Sequence, residues 1–240
     1  MNLLLIDTSG PTAGVGIVRD GEILWDKWEL SGKNHSESIL PMVEEGLNGC
    51  GLTPMDVDFF ACVTGPGSFT GVRIGVSLVK GMAHGVNPEK PNCLGVDALE
   101  AMAAAFPEQE DCLLCPIQDA RAGQVYGAAF LPGMPPRRVL PDMAIALPDF
   151  LALCREKAQG RPLFLTGDGV RPNLALLEGL EDVRLSGEDR RHLQPGAAAL
   201  LAWNRLDTKM DCFALMPVYL RPPQAERLRD RLARQAGGKA

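Results

Sequence analysis

The residues best equipped for chemistry in this 240-residue chain sit in one glycine-rich loop, GPGSFTGVRIG, from Gly65 to Gly75. An apolar run, Asp58 to Thr64 (DFFACVT), leads into it, and a helical pattern leads out. Strand, glycine loop and helix in that order form an anion-binding layout. Unpaired backbone N–H groups and the positive end of the helix dipole meet at the turn, and glycine lets a phosphate or carboxylate approach the main chain. Gly65, Gly67 and Ser68 would line such a site, and Arg73, one turn into the helix, would add a cation. The loop is not a Walker A motif, because no Gly-Lys-Ser/Thr follows, and glycine turns before helices also arise for steric reasons alone. Both readings stay open at this level.

Other reactive side chains do not combine. His35, His84 and His192 are the three histidines, and the positions four residues from His35 are Ser31 and Ile39, so no helical histidine pair for a metal exists. Cys112-Leu-Leu-Cys115 has redox spacing but stands alone, and on a strand its thiols point to opposite faces, which makes both core residues. Ser68 is not in a GxSxG turn. Glu44-Glu45 and Glu108 with Glu110 lie in segments that read as solvated. Neither catalytic residues nor a metal site are expected.

The elements that position these groups come in two similar sets. Leu3 to Asp7 is an apolar strand ending in a carboxylate, followed by a small-residue turn containing Gly, a second apolar strand from Val15 to Val18, and a third strand beyond the Arg19-Asp20-Gly21 hairpin turn. After a break near Phe106, LLCPIQD ends in Asp119, passes through Ala120 and Arg121, and returns as Val125 to Leu131. The two aspartates are 112 positions apart, close to half the chain, as a duplicated two-lobed α/β protein requires. The expected division is 1–106, 107–221 and a short basic helix over 222–240, in which Leu228 and Leu232 mark a narrow apolar stripe.

Two helices are expected in the first half. One runs from His35 to Cys50, with Ile39, Met42, Val43 and Leu47 at helical spacing and Pro41 either in its first turn or at a kink. The other runs from Thr70 to Val86. Val72, Val76, Val79 and Ala83 share one face, Gly71, Gly75, Leu78, Met82 and Gly85 lie beside it, and Arg73, Ser77, Lys80 and His84 form the wet face. So wide an apolar arc is buried on two sides, and the glycines allow a close neighbour, from within the chain or from a partner.

Composition narrows the function classes. Lys and Arg total 24 against 30 Asp and Glu, a net charge of −6, which disfavours unaided binding to nucleic acid. No stretch reads as a membrane span, MNLLLIDTSG is not a signal peptide, and seven unframed cysteines fit a reducing compartment, so a cytoplasmic protein is expected.

Read together, GPGSFTGVRIG, IDTS at Ile6 to Ser9, HSESILPMV at His35 to Val43, the DAR turn at Asp119 to Arg121 and PVYLRPP at Pro217 to Pro223 strongly resemble the TsaB (formerly YeaZ) family. The resemblance spans nearly the whole chain. It implies the two-lobed fold of actin, sugar kinases and the Hsp70 ATPase, and a role in making threonylcarbamoyladenosine beside the tRNA anticodon. In the wider fold a nucleotide would lie among Asp7, Thr8 and Ser9, the Asp119 turn, and Gly167-Asp168-Gly169, a segment that reads equally well as an ordinary strand-to-helix turn. The implied partner is a TsaD-like transferase. This chain would be its non-catalytic activating subunit, with a TsaE-like ATPase in a larger complex, a homodimer when alone, tRNA met only through the complex, and no cofactor of its own beyond ATP or ADP at a shared interface. The implied contact is His35, Ile39, Met42, Val43, Gly71, Gly75, Leu78 and Met82. Rival readings are a stand-alone ATP-dependent enzyme, in which Asp7 holds a metal-bound phosphate and Asp119 orders water, and a glycoprotease-like peptidase.

Overall fold

The computed structural model describes residues 1–30, 34–89 and 92–221. The basic helix expected over 222–240 lies outside them. The first set of elements is β1 (Asn2–Asp7), β2 (Thr12–Arg19), β3 (Glu22–Leu30), α1 (His35–Gly49), β4 (Phe59–Gly65), α2 (Phe69–Val86), β5 (Asn92–Asp97) and α3 (Ala98–Ala104). The second is β6 (Leu113–Asp119), β7 (Gln124–Leu131), β8 (Arg137–Ala146), α4 (Leu147–Ala158), β9 (Leu163–Thr166), α5 (Leu174–Leu177) and β10 (Val183–Leu185). Two further elements, α6 (Pro195–Trp203) and β11 (Met210–Asp211), follow.

One sheet runs β11-β5-β4-β1-β2-β3 and the other β10-β9-β6-β7-β8. With β11 set aside, the second order is the first with every strand advanced by five. In each, an antiparallel meander is extended by two parallel strands on the side of its first strand. The expected duplication is therefore present as topology. The β2–β3 hairpin closes as its Asp-Gly pair requires, with φ of 51° at Asp20 and 88° at Gly21.

Parallel strands covered on both sides read as unbroken apolar runs, and β1 shows why. Leu4 and Ile6 enter the core under α1 and α2, whereas Leu3 and Leu5 enter the one on the opposite face. Each such side chain contributes about 1.5–3 kcal/mol on full burial. The seven residues of α3 are all buried, because Ala98 and Ala101 pack on the first sheet and Leu99 and Ala103 on the second. Cys112 and Cys115 likewise fall into different cores, on opposite faces of β6, and burial pushes both thiols up.

One expectation needs correction. Residues 107–221 do not form one lobe: α6 packs on β1, β2 and β3, and β11 extends the first sheet. Gly14 and Gly16 make this possible by leaving a bare strip on β2, where a Cβ would overlap Pro195, and Asp26 Oδ1 accepts from the Gly196 N–H at 2.9 Å. Of the alternatives for Pro41, the first turn is excluded: it lies inside α1, on its exposed side. Its ring nitrogen cannot donate to the carbonyl of Glu37, itself an exposed residue.

Candidate functional site

The duplication persists at the level of single hydrogen bonds. At the end of β1, Asp7 Oδ1 accepts from the Ser9 N–H at 2.8 Å and from Ser9 Oγ at 2.7 Å. At the end of β6, Asp119 Oδ1 accepts from the Arg121 N–H at 2.7 Å. Both are aspartate turns closed two residues on. Their surroundings differ. Asp7, Thr8 and Ser9 are each 1% exposed, and burial pushes the Asp7 carboxyl up against the lowering effect of its Ser9 bonds. Asp119 is exposed, and the turn after it continues through Arg121, Ala122 and Gly123 with φ of 60°, 56° and 72°.

The glycine loop packs onto the first of these turns. Ser68 caps α2 by accepting from the Gly71 N–H at 3.2 Å, while its own N–H donates to the Ser9 carbonyl at 2.7 Å. Thr8 Oγ1 donates to the Gly71 carbonyl at 2.7 Å. A Cβ on Gly67 would overlap the Ser9 carbonyl, and one on Gly71 would overlap the Thr8 carbonyl. A Cβ on Gly75 would stand 2.7 Å from Thr8 Oγ1. Gly65, at φ 123°, has the Val218 carbonyl in the equivalent place. The space freed by these glycines is filled by the chain itself, so of the two readings of the loop the steric one accounts for them. Arg73 is also elsewhere: its guanidinium lies 3.8 Å above the Phe69 ring and its Nε donates to Tyr219 Oη at 2.9 Å.

What the two turns enclose is a cleft of about 520 Å³ between the lobes. Of the residues expected around a nucleotide, Ser9, Gly67, Ser68, Asp119 and Asp168 line it. Asp7, Thr8, Gly65, Arg73, Gly167 and Gly169 do not, because the first two are sealed beneath the turn and Gly167 and Gly169 pack on the Ile117–Gln118 backbone. Asp7 therefore cannot hold a metal-bound phosphate without the turn opening. Burial, together with the charge of Asp119, pushes the Asp168 carboxyl up to about 6, against the lowering effect of the backbone N–H groups of Asp119, Asp168 and Gly169.

Three cleft residues escaped sequence reasoning. Gln118 was visible only as a polar residue at the end of an apolar strand. Tyr219 and Arg221 belong to a strap that leaves the first lobe and crosses the cleft mouth. The Val218 N–H donates to the Thr64 carbonyl at 2.7 Å, the Tyr219 ring lies 4.5 Å from Phe69, and Arg221 Nη1 donates to the Ala120 carbonyl at 2.8 Å.

The residues expected at a partner contact divide. Ile39, Met42 and Val43 are core, 1–4% exposed, and Gly71 and Gly75 face Thr8. A bulky residue at Gly75 would disturb the lobe itself, so it is no probe of pairing. His35 is half-buried with Nε2 3.0 Å from the Gly10 carbonyl. Leu78 and Met82 remain partly exposed, and beside them Gly81 and Gly85 have open space where a Cβ would stand. Leu40, on α1, is 46% exposed.

His35, His84 and His192 lie apart, the last two against Phe213 and Trp28. Among the described residues no three His, Cys, Asp or Glu side chains are grouped to hold a metal, and no helix is long and apolar enough to cross a membrane. A family model described as TsaD: tRNA N6-adenosine threonylcarbamoyltransferase matches residues 29–133. The chain is 32% identical over 229 residues to the tRNA threonylcarbamoyladenosine biosynthesis protein TsaB of Bacillus subtilis, covering 94% of this chain and 96% of that one. YeaZ from Pseudomonas aeruginosa superposes with a TM-score of 0.74 at 27% identity, covering 91% of this chain and 99% of the other. Component A of the (R)-2-hydroxyglutaryl-CoA dehydratase of Acidaminococcus fermentans, at 13% identity and a TM-score of 0.50 over 87% of this chain and all of that one, shows the shared two-lobed fold alone.

Proposed function

Because the chain belongs to the TsaB family, we propose that it works in threonylcarbamoyladenosine synthesis on tRNA as the non-catalytic partner of a TsaD-type transferase. The observation that carries this is 32% identity to the Bacillus subtilis TsaB along almost the full length of both chains. The site supports a supporting role. Asp7 is buried under its own turn, the glycine loop is a packing device, and the histidines are dispersed among three unrelated contacts.

The docking surface is the outer side of α1 and α2, where Leu40, Leu78 and Met82 flank the open Gly81 and Gly85. Small residues on a helix permit close approach by a second helix, and the same surface serves a homodimer when the transferase is absent. A TsaE-type ATPase joins the larger assembly, and a nucleotide bound at a shared surface would meet Ser9, Ser68 and Asp119 at the cleft rather than Asp7.

The test is light scattering on the chain alone and mixed with its TsaD-type partner, followed by a tRNA modification assay. A heterodimer whose transfer activity needs both chains is expected. Gly81→Glu and Gly85→Glu, which add charge where nothing is packed, should leave the fold intact and abolish the complex. Unchanged pairing in both variants removes this surface; transfer without the chain removes the function.

A further inference from the structure

Gln118 and Asp168 reach the cleft from adjacent parallel strands. Gln118 stands on β6, and Asp168 stands in the bend after β9, which Gly167 turns at φ 103° and the Gly169 N–H ties to the Ile117 carbonyl at 3.1 Å. Gln118 is only 3% exposed, yet its Oε1 has no hydrogen-bond partner among the described residues, and Asp168 Oδ1, also buried, has none either. Buried acceptors without donors are disfavoured; the backbone N–H groups of Asp119, Asp168 and Gly169 act on the Asp168 carboxyl but leave its Oδ1 unmet and bring no opposite charge. The charged neighbour acting on Asp168 is Asp119, which has the wrong sign. Arg221 and Arg121 also line the cleft, but Arg221 Nη1 is taken up by the Ala120 carbonyl and Arg121 is exposed, and no hydrogen bond or ion pair joins either to Asp168 among the described residues.

We propose that this end of the cleft binds a protonated amine, with the ammonium donating to Gln118 Oε1 and Asp168 Oδ1 and Asp119 facing the same charge. An ammonium supplies three donors and a positive charge, matching two empty acceptors and two acids. A phosphate would bring more acceptors and more negative charge to the same point. A hard divalent ion takes six or more oxygens in regular geometry, and the acids here do not form a metal-holding group of three. The remaining cleft, walled by Phe69, Tyr126 and Tyr219, has room for the amine's carbon chain. This site goes beyond the partner role and is read in the isolated chain, so its failure leaves that role standing.

The experiment is a titration of the full chain with 1,4-diaminobutane at pH 7.5 and constant ionic strength, following the backbone amides of residues 118–120 and 168–169, present in every variant, by heteronuclear NMR. A saturable shift is expected, with apparent affinity falling about tenfold in Asp168→Asn, the loss of one charge-assisted bond. Gln118→Leu should also weaken binding severalfold, and Glu44→Gln, on exposed α1, should not. Unfolding midpoints of all variants confirm that each is folded, and Gln118→Leu decides the matter if Asp168→Asn is not. No saturable shift, an equal shift with sodium chloride or magnesium chloride, or undiminished affinity in the folded variants overturns the proposal.

Discussion

The Asp7 and Asp119 turns are the same device in two environments. Each aspartate ends the first strand of a meander and accepts the N–H two residues on. The first turn is pressed between β1 and the start of α2, and every small residue around it, from Gly67 to Gly75, is explained by contact with Thr8 or Ser9. At the second, the glycines of the loop after β9, Gly167 and Gly169, pack on Ile117 and Gln118 before the turn, and the turn itself lies open to the cleft, where Gly123 has nothing within 4 Å of a would-be Cβ. One copy has become structure and the other has kept its surface. A shared motif thus predicts shared backbone geometry, while accessibility, which decides whether an aspartate can meet a ligand, comes from what packs on it.

The sharpest way to break this contrast is with glycines. Gly71→Val should cost about 3 kcal/mol or more in urea unfolding, since backbone stands in the way, whereas Gly123→Ala should cost about 1 kcal/mol for its left-handed φ alone. Equal losses would mean that the first turn is not clamped. Next in size, Asp7→Ala leaves two buried donors of Ser9 unmet and should cost about 2 kcal/mol, against less than about 1 kcal/mol for the exposed Asp119→Ala.

A third difference lies where the lobes meet. Asp97, which caps α3 through the Glu100 N–H at 2.7 Å, faces Asp142 and Arg138 of β8, and the ion pair of Arg138 with Asp142 completes the cluster. Burial first, and Asp142 second, push the Asp97 carboxyl up to about 8, against the lowering effect of the Glu100 N–H and of Arg138. A group whose folded pKa is raised binds its proton more tightly in the native state, so the stability it contributes falls as pH rises from about 4 through 8. Urea midpoints should show a loss on the order of 1 kcal/mol between pH 5 and pH 8. Asp97→Asn keeps the cap and should remove most of that slope. The smallest effect expected is Tyr219→Phe, which removes one exposed bond from Arg73 and should cost about 0.5 kcal/mol while making the strap more open to limited proteolysis.

Much of this was legible in the residues. The aspartate-ended strands, the Asp-Gly hairpin, the strand, loop and helix at Gly65, and the opposed faces of Cys112 and Cys115 all follow from local rules of spacing and conformation. The sequence also marked Gly71 and Gly75 as places of close approach. It could not say what approaches, because a missing Cβ looks the same whether the space holds a phosphate, a partner helix or the Thr8 carbonyl. For the same reason α6 was assigned to the lobe nearest in sequence. Nothing local to Pro195 says that the bare strip at Gly14 and Gly16, some 180 residues earlier, is its seat.

Sequence alone determined the elements around the two aspartates and the glycine loop, the duplication and the family, since those depend on neighbours a few residues apart or on the pattern of the entire chain. Tertiary structure alone decided which aspartate is sealed and which is open, which glycines face inward, and that Gln118 Oε1 and Asp168 Oδ1 are buried at one cleft without a hydrogen-bond partner among the described residues. Those outcomes rest on contacts between segments far apart in the chain, and burial and charge at a site are sums over such contacts.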